Sequence, residues 1–247
     1  MIFHKSCHAH GLDSMVMKRL RDVKTDKNYY FYIYDNVFKM DYGNFYDEKC
    51  SSLNTWNYDL SYELHLNKPR VLLDSVRFGF GDYSDDGLSE TVVLKTTNVT
   101  WDFTKCPHKS QTHKVFRQEY EKSYDKERWF AQRELISDSE QKEELNVFVI
   151  RDLDTRKLYT YCFLVKSDKK AMNRKQTRCT FTEIDYPLDE KFIEYCDYIK
   201  IDYGRIELIK DKNLGWCIID VNNSPGGGPS SVQACDKIAS MLLKTIV

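Results

Sequence analysis

The chain of 247 residues lacks an excess of charge of either sign, because 37 Lys and Arg residues stand against 38 Asp and Glu residues. No basic stripe of the kind that binds nucleic acid stands out, so a nucleic-acid partner is not expected. The chain also lacks an apolar run near the ~20 residues that a membrane span needs, and its first residues lack the apolar segment of a secretory signal. We therefore expect a cytoplasmic protein without a membrane partner.

Closely spaced cysteine pairs are missing as well. The eight cysteines are scattered and include no CxxC pair, which predicts reduced thiols rather than a disulfide framework. Aromatic residues make up 14% of the chain and cluster in strand-like runs, which indicates a packed protein rather than a disordered one. The length allows one large domain or two small ones, and two unequal lobes are the working expectation.

In the first half of the chain, apolar periodicity predicts a helix over residues 12–22 and a strand over 29–34. Residues 35–68 have little periodicity. Residues 69–95 suggest a strand, a turn rich in Gly and Asp, and a second strand ending in ETVVLK. Residues 96–127 are polar and show no clear pattern.

The second half is predicted to be richer in strands. Strands are expected at 128–136, 145–151 and 157–165, as an antiparallel meander, and again at 199–209 and 216–221. Helices are expected at 188–198 and 231–246, where the apolar positions of the last helix share one face. The basic stretch 167–178 is expected to be a loop.

Three oxygen-bearing side chains fall at the ends of the last two predicted strands. Glu207 lies at the end of one strand, and Asp220 and Asn222 lie at the end of the next, two residues apart and so on one side. Mg²⁺ prefers carboxylate and other oxygen ligands and keeps phosphate oxygens and waters as well. A carboxylate within the apolar segment WCIIDVN would be costly without such a partner. The glycines at 226–228 would let backbone approach a ligand closely.

The segment ELIKDKNLGWCIIDVNNSPGGGP resembles the end of the nucleotide-binding lobe of ATP-grasp enzymes. That family places an acidic residue on one strand and, about a dozen residues later, an acidic-x-Asn motif often followed by Pro and Gly. The ending also resembles the D-alanine ligase type. Spacing and neighbouring residues look closest to the divergent branch that contains the eukaryotic chaperone assembling translation initiation factor 2, with related viral and bacterial proteins.

The resemblance extends back to about residue 86 and implies further site residues. ETVVLK resembles the strand that offers a lysine to the ATP phosphates, which makes Lys95 the candidate. WFAQREL resembles the hinge at the adenine, where backbone near Gln132, Glu134 and Leu135 would read the base. Arg205, two residues before Glu207, could share its face and touch a phosphate or substrate, or form an ordinary salt bridge.

The fold implied is an α+β ATP-grasp fold, with two lobes of antiparallel sheets and flanking helices around a nucleotide cleft. Residues 1–85 would form an N-terminal lobe with a possible acceptor-substrate region, and residues 86–247 the nucleotide-binding region. ATP and Mg²⁺ would be the ligands, with the metal on Glu207, Asp220 and Asn222.

Two departures from the family pattern stand beside this resemblance. The position before the VFV strand, where related branches often have arginine, is Asn146, so that contact is lost or comes from elsewhere. The glycine-rich loop expected after the lysine strand is replaced by TTNVTWDFTKC.

The resemblance implies an ADP-forming carboxylate–amine ligase that works through an acylphosphate, with a small-molecule or protein acceptor carrying a carboxylate or an amine. The alternatives are an ATP-binding assembly factor with little turnover and an ATP-grasp kinase.

Simpler interpretations of single features remain open. The three ligand candidates could end a surface hairpin, and Lys95 could face solvent. His8, His10 and Asp13 form no expected metal site without a distant partner set. Their glycine-containing stretch could instead help to form the acceptor pocket. The basic loop could clamp a phosphate or an acidic substrate, although a solvated loop is the default.

Overall fold

The computed structural model describes residues 2–3, 16, 19–20, 29–31, 55–56, 68–96, 112–137, 139–168, 180–185, 189–222 and 229–246. Its strands are β1 (Ile2–Phe3), β2 (Tyr29–Phe31), β3 (Thr55–Trp56), β4 (Thr91–Thr96), β5 (Thr112–Phe116), β6 (Trp129–Gln132), β7 (Gln141–Arg151), β8 (Leu158–Asp168), β9 (Thr180–Ile184), β10 (Tyr203–Asp211) and β11 (Gly215–Asn222). Its helices are α1 (Lys68–Leu73), α2 (Arg117–Ser123), α3 (Glu190–Tyr198) and α4 (Pro229–Ile246), with a 3₁₀ turn at Asp74–Phe78.

The strands form three sheets. A five-stranded antiparallel sheet has the order β11-β10-β7-β8-β9, and a three-stranded antiparallel sheet has the order β5-β4-β6. The three short N-terminal strands pair in parallel in the order β1-β2-β3. The candidate site involves the two antiparallel sheets.

The five-stranded sheet is covered on both faces. On one face, Phe148 and Phe163 belong to a core that includes Ile238 and Leu242 of α4. On the other face, Val147 and Ile206 belong to a core that includes Val71 of α1 and Tyr195 of α3. Alternating strand residues point to opposite faces, so a sheet between two helical layers needs apolar residues at almost every position. Residues 144–151 of β7 are buried without exception.

The three-stranded sheet has a much smaller core. Its buried apolar side chains are Val92, Leu94 and Trp129, and the partly buried Tyr120 and Tyr124, in and after α2, pack against them. The strand β4 alternates strictly between half-buried and buried residues, so the even-numbered side chains face this core. The odd-numbered residues Val93 and Lys95 therefore lie on the opposite face.

Many of the predicted elements are confirmed. The helices at 188–198 and 231–246 and the strands around 91–95, 129–132, 145–151, 158–165, 203–209 and 216–221 are present, with ends displaced by a few residues. The strand at 29–34 is confirmed over the described residues 29–31. Val16, Arg19 and Leu20 are helical, as the prediction for 12–22 requires. The remaining residues of that segment and most of the basic loop at 167–178 lie outside the described residues.

The prediction of a strand at 69–80 was wrong, because residues 68–78 form α1 and the 3₁₀ turn. Pro69 lies in the first helical turn, where its missing N–H costs no hydrogen bond. The buried residues are Val71, Leu72 and Ser75, a spacing that suits one helical face better than an alternating strand.

The predicted meander was wrong in its first strand. β7 and β8 form the expected antiparallel pair, but β6 pairs with β4 in the other sheet. Within 96–127, where no pattern was found, β5 and α2 were missed because their side chains are mostly exposed and carry little apolar periodicity.

The helices of the described residues include none that is both long enough and apolar enough to cross a membrane.

Candidate nucleotide and metal site

The hairpin β10–β11 brings the three predicted metal ligands together, but the prediction that Glu207 ends its strand was wrong, because β10 continues to Asp211 and Glu207 lies in its middle. Glu207 is the direct cross-strand partner of Asp220, and Arg205 is the partner of Asn222. Leu208, the next residue of β10, pairs with Ile218, so Ile219 is an extra residue that forms a bulge. Directly opposed residues in an antiparallel pair share a face with Cβ atoms ~5 Å apart, so the two carboxylates are neighbours.

Side-chain contacts connect these four residues in two pairs. Arg205 Nη2 lies 2.5 Å from Glu207 Oε1, and both side chains are more than four-fifths buried. Asn222 donates through Nδ2 to Asp220 Oδ2 at 2.9 Å, which fixes the orientation of the carboxamide. The guanidinium of Arg205 also lies over the ring of Phe148, 5.8 Å from its centroid. The salt bridge expected as one alternative for Arg205 is therefore formed, and a phosphate contact stays a prediction.

Lys95 reaches this hairpin from the three-stranded sheet. Its Nζ donates to the carbonyl oxygen of Ile219 at 2.6 Å, one residue before Asp220. Lys95 is half-buried, so the interpretation of a solvent-facing lysine at a strand end does not describe it. The structure thus brings the predicted phosphate-binding cation and the predicted metal-binding strand together.

The three predicted hinge residues differ in their surroundings. Gln132 is buried, pairs with Val93, and forms an isolated bridge with Ser84. Glu134 forms an ion pair with Lys114 at 2.6 Å, and Leu135 packs against the core on the α3 side of the large sheet. Gln132 and Lys114, the partner of Glu134, both pair with Val93, two residues from Lys95, and the adenine contacts of all three hinge residues remain predicted.

Two hydrogen bonds attach the segment that contains the predicted hinge residues to the turn between β10 and β11. Ile136 N donates to Asp211 Oδ2 at 2.6 Å, and Lys212 N donates to Ile136 O at 2.8 Å. Asp211 Oδ1 also accepts from the N–H groups of Asn213 and Leu214, so its buried carboxylate is held by several donors. The segment that follows β6 is thereby fixed to the same hairpin that carries Glu207 and Asp220.

The donor set fits magnesium. Glu207 and Asp220 supply carboxylate oxygens, and Asn222, which donates through its nitrogen, keeps its amide oxygen as an acceptor. Within the part of the chain that the structure describes, no three His, Cys, Asp or Glu side chains cluster as a metal site. A divalent ion on this hairpin would accordingly need phosphate and water oxygens in addition, which is the usual coordination of Mg²⁺ with a nucleotide.

Three neighbouring residues were not predicted to form the site. Asn146, noted only as a departure from the family, is buried as the β7 partner of Glu207 and donates to Glu144 Oε1 at 3.2 Å. Gly204 leaves no room for a side chain, since an added Cβ would lie 2.5 Å from the backbone oxygen of Asn222. Tyr83 is buried and contacts β11. Nothing in its sequence surroundings, an Asp-rich turn, indicates this contact.

Comparison with solved structures identifies the fold. The macrocyclase MdnC from Microcystis aeruginosa MRC, bound with precursor peptide MdnA, matches with a TM-score of 0.57 and 11% identity, covering 91% of this chain and 80% of that one. A RiPP-associated ATP-grasp ligase from Chryseobacterium gregarium, in complex with ADP and a leader and core peptide, matches with a TM-score of 0.54 and 14% identity over 98% and 95% of the two chains. The VanG D-Ala:D-Ser ligase from Enterococcus faecalis matches with a TM-score of 0.50 and 11% identity over 74% and 62%.

No protein-family model and no curated protein sequence matches this chain. The structural likenesses show that the chain has the α+β fold of ATP-grasp ligases, as the motif around Glu207 and Asp220 predicted. One of the similar ligases was solved with magnesium and ADP.

Proposed function

We propose that this protein is a Mg-ATP-dependent, ADP-forming carboxylate–amine ligase, with the nucleotide site formed by the β10–β11 hairpin and β4. The carrying observation is that Lys95 donates to Ile219 O, directly beside the row in which Glu207 opposes Asp220. A cation next to two carboxylates and an amide is the combination that a metal–triphosphate requires.

The reaction consists of two displacements. A carboxylate oxygen of the first substrate attacks the γ-phosphorus of ATP, the bond to the β–γ bridging oxygen breaks, and ADP leaves. An amine then attacks the acyl carbon, the amide bond forms, and inorganic phosphate leaves with the bond electrons while the amine loses its proton to solvent. Bound magnesium would neutralise part of the phosphate charge. In this proposal Glu207, Asp220 and Asn222 hold the metal, and Lys95 and Arg205 offset charge on the transferred group.

The proposal also assigns the residues that bind adenine and the region that binds the acceptor substrate. Backbone near Gln132, Glu134 and Leu135 reads adenine, and residues 1–85 contribute to the acceptor region beside the nucleotide-binding part, residues 86–247. Similar solved ligases hold a precursor peptide in one case and a leader and core peptide in another. We therefore favour a peptide or an amino acid as the acceptor. The closer relationship to the branch containing the assembly chaperone of translation initiation factor 2 stays a prediction of the sequence.

An ATP-dependent assembly factor with little turnover is the second candidate, and Asn146 is the observation that favours it. The position is buried beside Glu207 and carries a neutral amide where related branches have arginine. If Arg205, two cross-strand pairs away on the same face, takes over that charge, turnover is retained. If it does not, nucleotide binding would remain and phosphoryl transfer would be slow.

The first test is calorimetry with Mg-ATP, followed by ADP and phosphate release in the presence of amino acids and short peptides. We expect micromolar binding and release of ADP that depends on both a carboxylate and an amine substrate. Asp220→Ala and Glu207→Gln should each lower turnover by at least about 100-fold, because each removes charge that stabilises the transferring phosphoryl group.

Glu143→Gln is the matched control, since Glu143 is also a sheet glutamate in an ion pair, with Lys166 at 2.9 Å, on the neighbouring strand β7. It should leave nucleotide binding and turnover unchanged. Binding without ADP release for any substrate would favour the assembly factor, and ADP release with a hydroxyl acceptor alone would favour a kinase. Absence of Mg-ATP binding in the folded wild type would refute the site.

A further inference from the structure

The segment between the 3₁₀ turn and β4 runs along the outer edge of β11. Gly81 N donates to Trp216 O at 3.0 Å, and an added Cβ at Gly81 would lie 2.6 Å from Cys217 Sγ and 2.7 Å from Leu214 Cβ. A side chain would not fit in that space, so the two backbones are in close contact. Tyr83, two residues further on, is consequently held against the strand that carries Asp220.

Two side chains bind consecutive carbonyl groups of β11. The hydroxyl of Tyr83 donates to Ile218 O at 2.5 Å, and Lys95 Nζ donates to Ile219 O at 2.6 Å. In a regular strand consecutive carbonyl groups point in opposite directions, whereas a bulge disrupts that alternation. The bulge lies at these residues, because Ile218 and Asp220 pair with the adjacent residues Leu208 and Glu207. Tyr83 and Lys95 therefore hold the irregular turn of backbone that directly precedes Asp220.

Tyr83 also contacts Lys95 of the three-stranded sheet. The Lys95 ammonium lies over its ring, 5.9 Å from the centroid, at the outer limit of a cation–π contact. Burial, the largest cause, raises the pKa of the Tyr83 phenol far above its ordinary value, while the neighbouring Gln132 amide opposes that rise. The phenol consequently stays protonated and remains a hydrogen-bond donor at any pH at which the protein functions.

We infer that Tyr83 is a positioning residue of the nucleotide site: its hydroxyl fixes the β11 bulge, so that Asp220 faces Glu207, and its ring supports the Lys95 ammonium. The inference rests on the proposed function, because it concerns how the metal-binding strand is held. Tyr83 itself needs no contact with nucleotide or metal in this role.

The test compares two buried tyrosines. Tyr195 is fully buried in the same core, and its hydroxyl donates at 2.7 Å to Val71 O, a carbonyl group of α1 rather than of β11. Tyr83→Phe and Tyr195→Phe each remove one buried hydrogen bond to a carbonyl, so both should lose similar stability in urea unfolding. Affinity for ADP is then measured by calorimetry for wild type and both variants, once with Mg²⁺ and once with EDTA.

We expect Tyr83→Phe to weaken Mg-ADP binding by about fivefold, the effect of one lost buried hydrogen bond, and metal-free ADP binding by less than about twofold. Tyr195→Phe should leave both affinities within about twofold of the wild type. The selective loss of metal-assisted binding is the readout that a purely structural tyrosine would not give.

Two results would overturn the inference while leaving the ligase proposal in place. One is a Tyr83→Phe protein whose two affinities match those of Tyr195→Phe, and the other is an equal loss with and without metal. A wild type that binds ADP no better with Mg²⁺ than with EDTA contradicts the proposed metal site itself, and the role of Tyr83 with it.

Discussion

The two antiparallel sheets that meet at the candidate site differ in how thoroughly they are buried. β7 of the five-stranded sheet is buried at every residue from 144 to 151, whereas four of the five residues of β5 are exposed. The proposed metal ligands lie on the first sheet and the proposed phosphate lysine on the second. A packed core therefore holds the proposed metal ligands, whereas the position of Lys95 depends largely on its contacts with β11.

Leucine truncation should show the largest difference between the sheets. Leu208 and Leu94 are equally buried, but Leu208 lies in the extensive core next to α3 and Leu94 in the core of three buried side chains. Densely packed surroundings collapse less around a cavity, so we expect Leu208→Ala to cost about 4 kcal/mol and Leu94→Ala about 2.5 kcal/mol. Chemical denaturation measures both. Equal losses would show that the small sheet is packed as tightly as the large one.

Gly204→Ala tests the packing between β10 and β11 directly. The added methyl group would overlap the Asn222 oxygen at 2.5 Å and Ile201 Cδ1 at 2.6 Å, so the strands must separate. We expect a loss of about 3 kcal/mol, at the upper end for overpacking, together with weaker Mg-nucleotide binding because Asn222 is displaced.

The control for this change is Gly87→Ala in the exposed turn before β4. Gly87 has a positive φ of 75° and open space around it, so only backbone strain of about 1 kcal/mol is expected, with nucleotide affinity unaffected. Should Gly204→Ala prove as mild as this control, the close contact at Asn222 would not be a constraint on the site.

Acid should weaken the small sheet through Asp85. Arg117 binds both oxygens of this carboxylate, at 2.8 and 2.7 Å, and lowers the pKa of Asp85. A lowered folded-state pKa gives stability that is present above the unfolded value of about 4 and is lost as pH falls through the folded value. We expect Asp85→Asn to cost about 1 kcal/mol at pH 7, and the difference from wild type to shrink below about pH 4.

Asp125→Asn is a suitable comparison, because Asp125 accepts a backbone N–H from Glu127 at 2.9 Å, which asparagine can also do. Its stability should follow that of the wild type from pH 7 to pH 3. A difference at Asp85 that stays constant across that range would mean that the ion pair with Arg117 contributes nothing.

Ion pairs on the two sheets should give the smallest effects. Lys114 binds Glu134 at 2.6 Å on the small sheet, with both side chains 38% exposed, and Lys166 binds Glu143 at 2.9 Å on the large one, where the glutamate is 20% exposed. Lys114→Met should cost about 0.3 kcal/mol and Lys166→Met about 0.7 kcal/mol, because the less exposed pair is screened less. Unfolding at low and high salt checks both, and the difference should vanish at 1 M salt.

Local patterns in the sequence were sufficient for the hairpin that carries the candidate ligands. β10 and β11 flank a turn with clear chemistry, and their apolar residues continue to the positions where Glu207 and Asp220 interrupt them. Hairpin geometry alone places Glu207 and Asp220 at nearly the same level of the two strands, but their direct pairing also requires the bulge at Ile219, which the sequence pattern did not indicate.

Features that depend on distant parts of the chain were not predictable in the same way. The run PRVLLDSV has the apolar content of a strand, yet it forms a helix whose buried face packs against β11 and α3. β6 and β7 are consecutive strands, yet they belong to different sheets because β6 pairs with β4. Strand partners are selected by tertiary packing, so neither the sheet boundary nor the contact of Tyr83 with Ile218 is encoded in a short window.

The bulge residue Ile219 determines to which face of the sheet the side chains of Asp220 and Asn222 point. If Ile219 adopted regular strand geometry, Ile218 and Asp220 would lie on the same face of the sheet. The Asp220 carboxylate would then point into the apolar core that contains Ile218. Removal of Ile219 would instead leave a regular ladder in which Ile218 pairs with Leu208 and Asp220 with Glu207, so Asp220 and Asn222 would keep their side of the sheet while the carbonyl group that Lys95 binds would be lost.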